Sequence, residues 1–464
     1  MSLTQYVASF VSETTLDSIP DKTVERAKFS LVDGFGLAVA GSRSAAARIA
    51  TDYVGDLGCR GQARALGSGV GMPARFAAFV NGISIHADDY DDTQLAVAPD
   101  RVYGLLTHPT APVLAAVLSS ADAENMNGAV LLRAYVVGVE VATKVAEAMA
   151  PRHYEDGFHS TGTAGSIGAA AGVANLQGLD PPATARALSL AASQAAGLRE
   201  NFGTMTKPFH AGRAAESGVV AVDLVRRGWT AAKNILEADR GFFRAAGGGY
   251  EPKLIEAQLG APWTFNSPGI SIKPHPSGSL THPAMGALLA LLVDHDVDAR
   301  EINSITVGTS RHMPNALIHH HPKTELEAKF SMEYCLAVIA LDRRAGLAEF
   351  TDERVNRGDV QELLGRVVFT VEPEIESAGY QTMDSVVSVV LADGRVLSAR
   401  EGFAKGSPHK PMSRNELVSK FRECVTWGGF EEAARADALA DRLFTVEGEP
   451  TVRALVDATI ISTT

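Results

Sequence analysis

The stretch SVVSVVLADGRVLSA, residues 385–399, decides the fold class. Two runs rich in valine, 385–391 and 395–399, flank Ala392-Asp393-Gly394, and a short glycine-containing link between such runs signals a β-hairpin. Working outward, residues 302–309 (INSITVGT) and 366–371 (RVVFTV) carry the same strand character. Helical patterns at about 281–294 and 326–342 lie among these strands, and the mixture describes a compact α+β unit. Further out the character changes. Upstream of Pro262 the chain is rich in alanine, with helical patterns at 110–122, 129–149, 163–177, 183–197 and 211–228. Near the start Asp21 can cap a helix in which Val24, Ala27, Leu31 and Phe35 recur at helical spacing, followed by Gly41. Downstream, Ser413 with Glu416 makes a capping box that opens a helical tail. The expectation is a mainly helical protein with a second α+β domain: helices over 1–265, an α+β lid over 266–405, and C-terminal helices over 406–464 that pack back onto the first part.

The 464 residues are 46% hydrophobic and carry a formal net charge of -12. General nucleic-acid binding needs a basic footprint, so that class is set aside. Anionic small molecules are not, because a few lysines in a cleft outweigh a distant acidic surface. No basic leader precedes an apolar run, and no stretch of about 18 apolar residues occurs, so the expectation is a cytoplasmic chain without a membrane span. Cys59, Cys335 and Cys424 stand far apart without CxxC spacing, which argues against a disulfide framework or a structural zinc site.

Three segments can carry chemistry. HADDYDDT, residues 86–93, crowds Asp88, Asp89, Asp91 and Asp92 beside His86 and Thr93 between apolar stretches. Adjacent carboxylates raise one another's pKa unless something compensates, so a cluster placed there is costly unless used. Its spelling also fits the DDxxD pattern that holds magnesium diphosphate in helical terpenoid synthases. Against that stand the lack of a second metal motif and an aromatic content of only 6%. The second segment, GLRENFGTMTKPFHAGR (197–213), sets Lys207 in apolar company with His210 nearby, where an anion is needed to keep the lysine charged. In the third, IKPHPSGSLTHPAMGALLAL (272–291), Lys273 lies in a turn and His282 at the start of the following helix, a natural place for an anion. His108, in Thr107-His108-Pro109, and His159, leading into an alanine-rich helix, are candidate proton carriers near neutral pH. The tract His319-His320-His321 reads as a solvent-facing loop rather than a metal site.

Together these segments resemble the MmgE/PrpD family, which includes 2-methylcitrate dehydratase, cis-aconitate decarboxylase and iminodisuccinate epimerase. The matching pieces are HADDYDDT with the later THP, GFHSTGTAGSIGAA, NFGTMTKPFHAGRAAESG, LEADRGFF, IKPHPSGSLTHPAM, LEAKFSMEYCLA and KGSPHKPMSRNELVSKF. They fall in the family's order and span nearly the whole chain. The resemblance implies a large helical domain with an α+β lid, a homodimer, and an active site between the domains that needs no metal or organic cofactor. It points to Asp89, Thr93, His108, His159, Lys207 and Lys273. One departure stands out: Gly278 follows Pro276-Ser277 where the decarboxylases carry a histidine after a Pro-Cys pair.

The expected chemistry follows. Lys207 and Lys273 bind the carboxylates of a small di- or tricarboxylic acid and offset the charge that builds as an α-proton leaves. His108 and His159 serve as base and acid in an order left open. Asp89 orients one histidine or meets substrate, with Thr93, His210 and His282 as binding contacts. Loss of β-hydroxide, a dehydratase outcome, is favoured. Epimerisation, decarboxylation and binding without turnover are the alternatives.

Overall fold

The computed structural model describes residues 1–94, 107–378 and 383–461. The beginning of the apolar stretch that follows the acidic cluster, residues 102–106, lies outside them. No helix among the described residues is long and apolar enough to cross a membrane.

Two hydrophobic cores organise the chain. The larger is built by helices Asp21–Gly41, Thr110–Ala123, Gly128–Ala148, Ser160–Leu176 and Thr206–Arg226, and their alanines and glycines let the axes come close. Gly168 shows how close: a Cβ on it would lie 2.4 Å from the Ala142 Cβ, so only hydrogen fits. The tail returns to this core. Helix Arg414–Gly428 opens on the Ser413–Glu416 capping box and lays Leu417 and Phe421 against the helix Asp21–Gly41. Asp21 is the first residue of that helix and not its cap. Pro20 takes the cap position, leaving the Asp21 carboxylate to favour the first turn through its charge.

The smaller core runs from Leu280 to Leu391 around a four-stranded sheet. Strand Ile302–Thr309 is central. It pairs in parallel with Val367–Val371 and antiparallel with Ser385–Leu391, which forms the hairpin with Val396–Glu401. Buried and part-exposed residues alternate without a break along Ser385–Leu391, so one face meets the core. At the turn Gly394 adopts φ 87°, a left-handed conformation that glycine takes at no steric cost. Helices His282–Asp294 and Met332–Asp342 cover the buried side.

The structure differs from the periodicity in several places, and the helix expected over 183–197 already ends at Ala192. The helix expected over 326–342 is broken into Glu325–Ala328 and Met332–Asp342, because Ser331 turns its hydroxyl onto the Tyr334 N–H and starts a new helix. The interruption frees Lys329 and Phe330 to face the other core. A two-residue ribbon, Ala63–Arg64 with Gly71–Met72, sits within the helical part, too short for alternation to reveal it.

Candidate active site

Helix Ala74–His86 ends inside the molecule, and the chain turns at once through the acidic cluster. Asp89 sits there at φ 49°, a conformation costly for most residues and tolerated by aspartate. Lys273 holds it. Its ammonium donates to the Asp89 backbone carbonyl at 2.7 Å and to Oδ2 at 3.0 Å. Lys207, in the first turn of helix Thr206–Arg226, donates to Oδ1 of the same carboxylate at 2.5 Å. Burial alone would raise the Asp89 pKa, but the two ammonium groups hold it well below the usual carboxylate range.

Asp91 faces two histidines as Asp89 faces two lysines, and hydrogen-bonds the first of them. Its oxygens lie 2.9 Å from His86 Nδ1, and Oδ1 lies 3.4 Å from His108 Nδ1. His86 Nε2 is 2.7 Å from the Lys207 ammonium. An ammonium only donates, so Nε2 carries the lone pair and Nδ1 the proton; His86 is a neutral imidazole held at both ends. Burial pushes its pKa down to about 4 despite the carboxylate beside it. Burial likewise lowers His108. With Nδ1 turned to Asp91, His108 has Nε2 on the side of Asp89, 3.9 Å from Oδ1.

The third histidine comes from another helix, its ring 5.8 Å from the His86 ring. His159 stands at the N-cap position of helix Ser160–Leu176, and its Nδ1 meets Nδ1 of His210 at 3.0 Å. Burial first, then Lys207 and the neighbouring imidazoles, drive its pKa well down. Asp89, His108, His159, Lys207 and Lys273 line one cleft with Tyr154, Phe202, Ser279, Leu280, Leu317 and Phe330. The rings of Phe202 and Phe330 lie against the Lys207 ammonium, 5.3 and 5.5 Å from it, so apolar and polar groups line the cleft side by side. Ser279, Leu280, Leu317 and Phe330 come from the segment around the smaller core, so the cleft lies between the two cores.

Five of the residues singled out from the sequence therefore meet in one place. Thr93 stands behind them, exchanging backbone hydrogen bonds with Ser271 and placing Oγ1 3.3 Å from Ser279 Oγ. His210 does not line the cleft and meets it through His159. His282 is buried beside His275 and does not line the cleft, although Lys273 and Asp89 lie near enough to act on it electrostatically. The remaining carboxylates of the cluster are partnered separately. Asp92 accepts from the Thr110 N–H and hydroxyl, and burial lifts its pKa to about 7. Asp88 meets the buried Lys329 ammonium at 3.1 Å, across from one core to the other. None of His319-His320-His321 lines the cleft, but His319 holds two of its lining residues, donating its backbone N–H to the Phe330 carbonyl and setting Nε2 3.3 Å from the Phe202 carbonyl oxygen, while His320 pairs with Glu333.

Sequence reasoning missed His86, Asp91 and Lys329. The spacing of His86 and Asp91 across a helix end was a usable signal, since the turn folds the carboxylate back onto the imidazole. The aromatic wall of Tyr154, Phe202 and Phe330 had none, because a cleft-facing ring reads like a core-facing one.

His86, Asp89, Asp91 and His108 offer ligand atoms all within 4.8 Å of one another, a set chemically able to take a divalent cation. Here Asp89 and His86 are committed elsewhere. The two ammonium groups hold both Asp89 oxygens and the His86 lone pair, and their charge opposes a further cation. The residues fit a site for anions better than one for a metal.

Comparison with known proteins agrees with this arrangement. The MmgE/PrpD N-terminal domain matches residues 5–255, and the MmgE/PrpD C-terminal domain matches residues 275–445. Cis-aconitate decarboxylase of Homo sapiens is 28% identical over 431 residues, covering 91% of this chain and 87% of its own. Cis-aconitate decarboxylase of Aspergillus terreus is 26% identical over 468 residues, covering 95% and 92%. With both domains matched in order over most of its length, the chain belongs to the MmgE/PrpD family.

Proposed function

We propose that the protein is a cofactor-independent lyase that removes a proton α to a carboxylate of a small di- or tricarboxylic acid and expels water. The observation that carries this reading is the meeting of two ammonium groups with buried imidazoles in one cleft. Lys207 and Lys273 each spend two N–H groups on the contacts described and have a third for a substrate carboxylate. Held there, they stabilise the enolate-like charge as the α-proton leaves.

Proton acceptors suit this chemistry. His108, oriented by Asp91, and His159, oriented by His210, both rest neutral and present Nε2 as a base. In the elimination, the C–H bond breaks to an imidazole, the C–O bond breaks at the β-carbon, and the departing hydroxide takes the proton as water. No net proton is gained or lost. Decarboxylation differs, since the carbon that loses carbon dioxide must gain a proton, and the donor must be protonated at the start.

A second reading has its own support, because the relatives are named cis-aconitate decarboxylases. The apolar wall of Phe202, Leu317 and Phe330 suits release of carbon dioxide as well. One experiment separates the two. Citrate-like hydroxy acids, aconitate-like acids and amino-dicarboxylates are incubated with the protein in deuterated water and followed by NMR. Water loss with α-deuterium in the recovered acid is expected from a hydroxy acid, and chelator leaves the rate unchanged. Carbon dioxide release from an aconitate-like acid would establish the second reading instead. No deuterium incorporation and no turnover with any acid would overturn both.

A further inference from the structure

The contact between His159 and His210 has a property that neither residue has alone. Two Nδ1 atoms 3.0 Å apart share one proton: with none the lone pairs repel, and with two the N–H groups collide. The pair is also built to stand this close. Gly197, at φ 136°, backs both rings, and a Cβ there would lie 3.2 Å from the His210 ring and 3.4 Å from the His159 Cβ. The Gly197 carbonyl accepts the His159 backbone N–H at 3.0 Å, fixing the height of the first ring. On the far side, a Cβ on Gly162 would lie 3.3 Å from the His210 Cβ. His159 lines the cleft and is 1% exposed, whereas His210 does not line it and is 6% exposed.

We infer that His210 is a proton-relay residue, which takes the proton that His159 collects from substrate and passes it to solvent. The inference rests on the α-proton chemistry proposed above. When His159 Nε2 takes the substrate proton, its Nδ1–H moves along the 3.0 Å contact to His210 Nδ1, and the Nε2–H of His210 leaves to water. One N–H bond forms and one breaks at each ring, so both end neutral in the alternate tautomer. That outcome matters because Lys207 and Lys273 already place two positive charges at the cleft, and a lasting imidazolium beside them is disfavoured. The tautomer change also turns His159 from a base into a neutral donor facing the substrate, ready for protonation on the return step. His86 cannot substitute, since Asp91 and Lys207 fix its tautomer.

His210→Asn tests this, because an amide can keep a hydrogen bond to His159 Nδ1 but cannot carry the proton onward. Two measurements are made on the full-length protein. The first is solvent exchange of the shared Nδ1 proton by NMR of protein labelled with 15N-histidine, which needs no substrate. A rate at least about tenfold slower in the variant is expected at the His159 ring; equal rates would overturn the relay. The second is the ratio of α-deuterium wash-in to turnover for an acid that reacts. The variant should lose that ratio by a similar factor, and added imidazole should restore it. Loss of turnover with an unchanged ratio and no rescue would make His210 merely structural. Should no acid react with the unaltered protein, the first measurement still decides the relay while the functional reading fails.

Discussion

Asp89 carries two ammonium groups on one carboxylate, and that sharing decides what a substitution at either lysine does. Lys207→Ala removes the donor to Asp89 Oδ1 and to His86 Nε2, but Lys273 keeps the carboxylate and its backbone carbonyl engaged. The fold should therefore survive while the cation nearest the imidazoles is lost. Removal of one such stabilising donor costs about 100-fold or more in turnover. The check is kcat/KM on any acid that reacts, beside a urea melt; near-normal turnover would take Lys207 out of the site. The sequence marked these lysines because a lysine among apolar residues calls for an anion, and the family pattern supplied their positions. Asp89 was expected to orient one histidine or to meet substrate; it lies on the two lysines with His108 Nε2 3.9 Å away, and Asp91 lies beside His86 and His108. Four aspartates within five positions look alike in one dimension. Which faces which is set by the left-handed turn at Asp89, and no pattern of residue types announces it.

At the scale of elements, the site depends on how closely helices Gly128–Ala148 and Ser160–Leu176 approach, since the second begins next to His159. Gly168 sets that approach. An added methyl would lie 2.4 Å from the Ala142 Cβ and 2.7 Å from the Gly138 carbonyl oxygen, so the helices must part. Gly168→Ala should destabilise the protein by about 1–3 kcal/mol, the usual cost of overpacking. It should also lower turnover, because the shift carries His159 with it. A lowered denaturation midpoint with unchanged turnover would show that His159 is positioned by its partners and not by its helix. Elements were the most legible level. The hairpin at 385–399, the strand at 302–309 and the Ser413 cap follow from periodicity, turn chemistry and capping. The break before Met332 was not legible, because LEAKFSMEYCLA keeps an unbroken helical pattern. A local serine cap together with the pull of Asp88 on Lys329 overrides it.

Across the whole molecule, the buried imidazoles make stability a function of pH. His86, His153, His210 and His275 are each pushed down by burial to about 4, and His108, His159 and His282 are lowered as well. The unfolded chain binds protons at these rings from about pH 6.5 downward, while the folded chain refuses them until far lower. Stability therefore falls as the pH drops from about 6.5 toward 4. Asp89 and Asp91, lowered against the effect of burial by their cationic and imidazole neighbours, add a loss of the same sign below about pH 4. Asp92 and Asp33 act in the opposite direction. Burial raises them to about 7 and about 6, so the folded state holds their protons and gains stability as the pH falls through that range. The histidines outnumber them, which sets the net sign. At pH 5.5 each imidazole that stays neutral in the fold costs about 1.4 kcal/mol relative to neutral pH. A few such groups rival the ~5–15 kcal/mol of a typical domain. Urea melts at pH 7.5 and 5.5 should show the midpoint dropping sharply at the lower pH. An unchanged midpoint would mean that the buried histidines take up protons in the folded protein as readily as in the unfolded chain, and the account of their lowered pKa values by burial would fall.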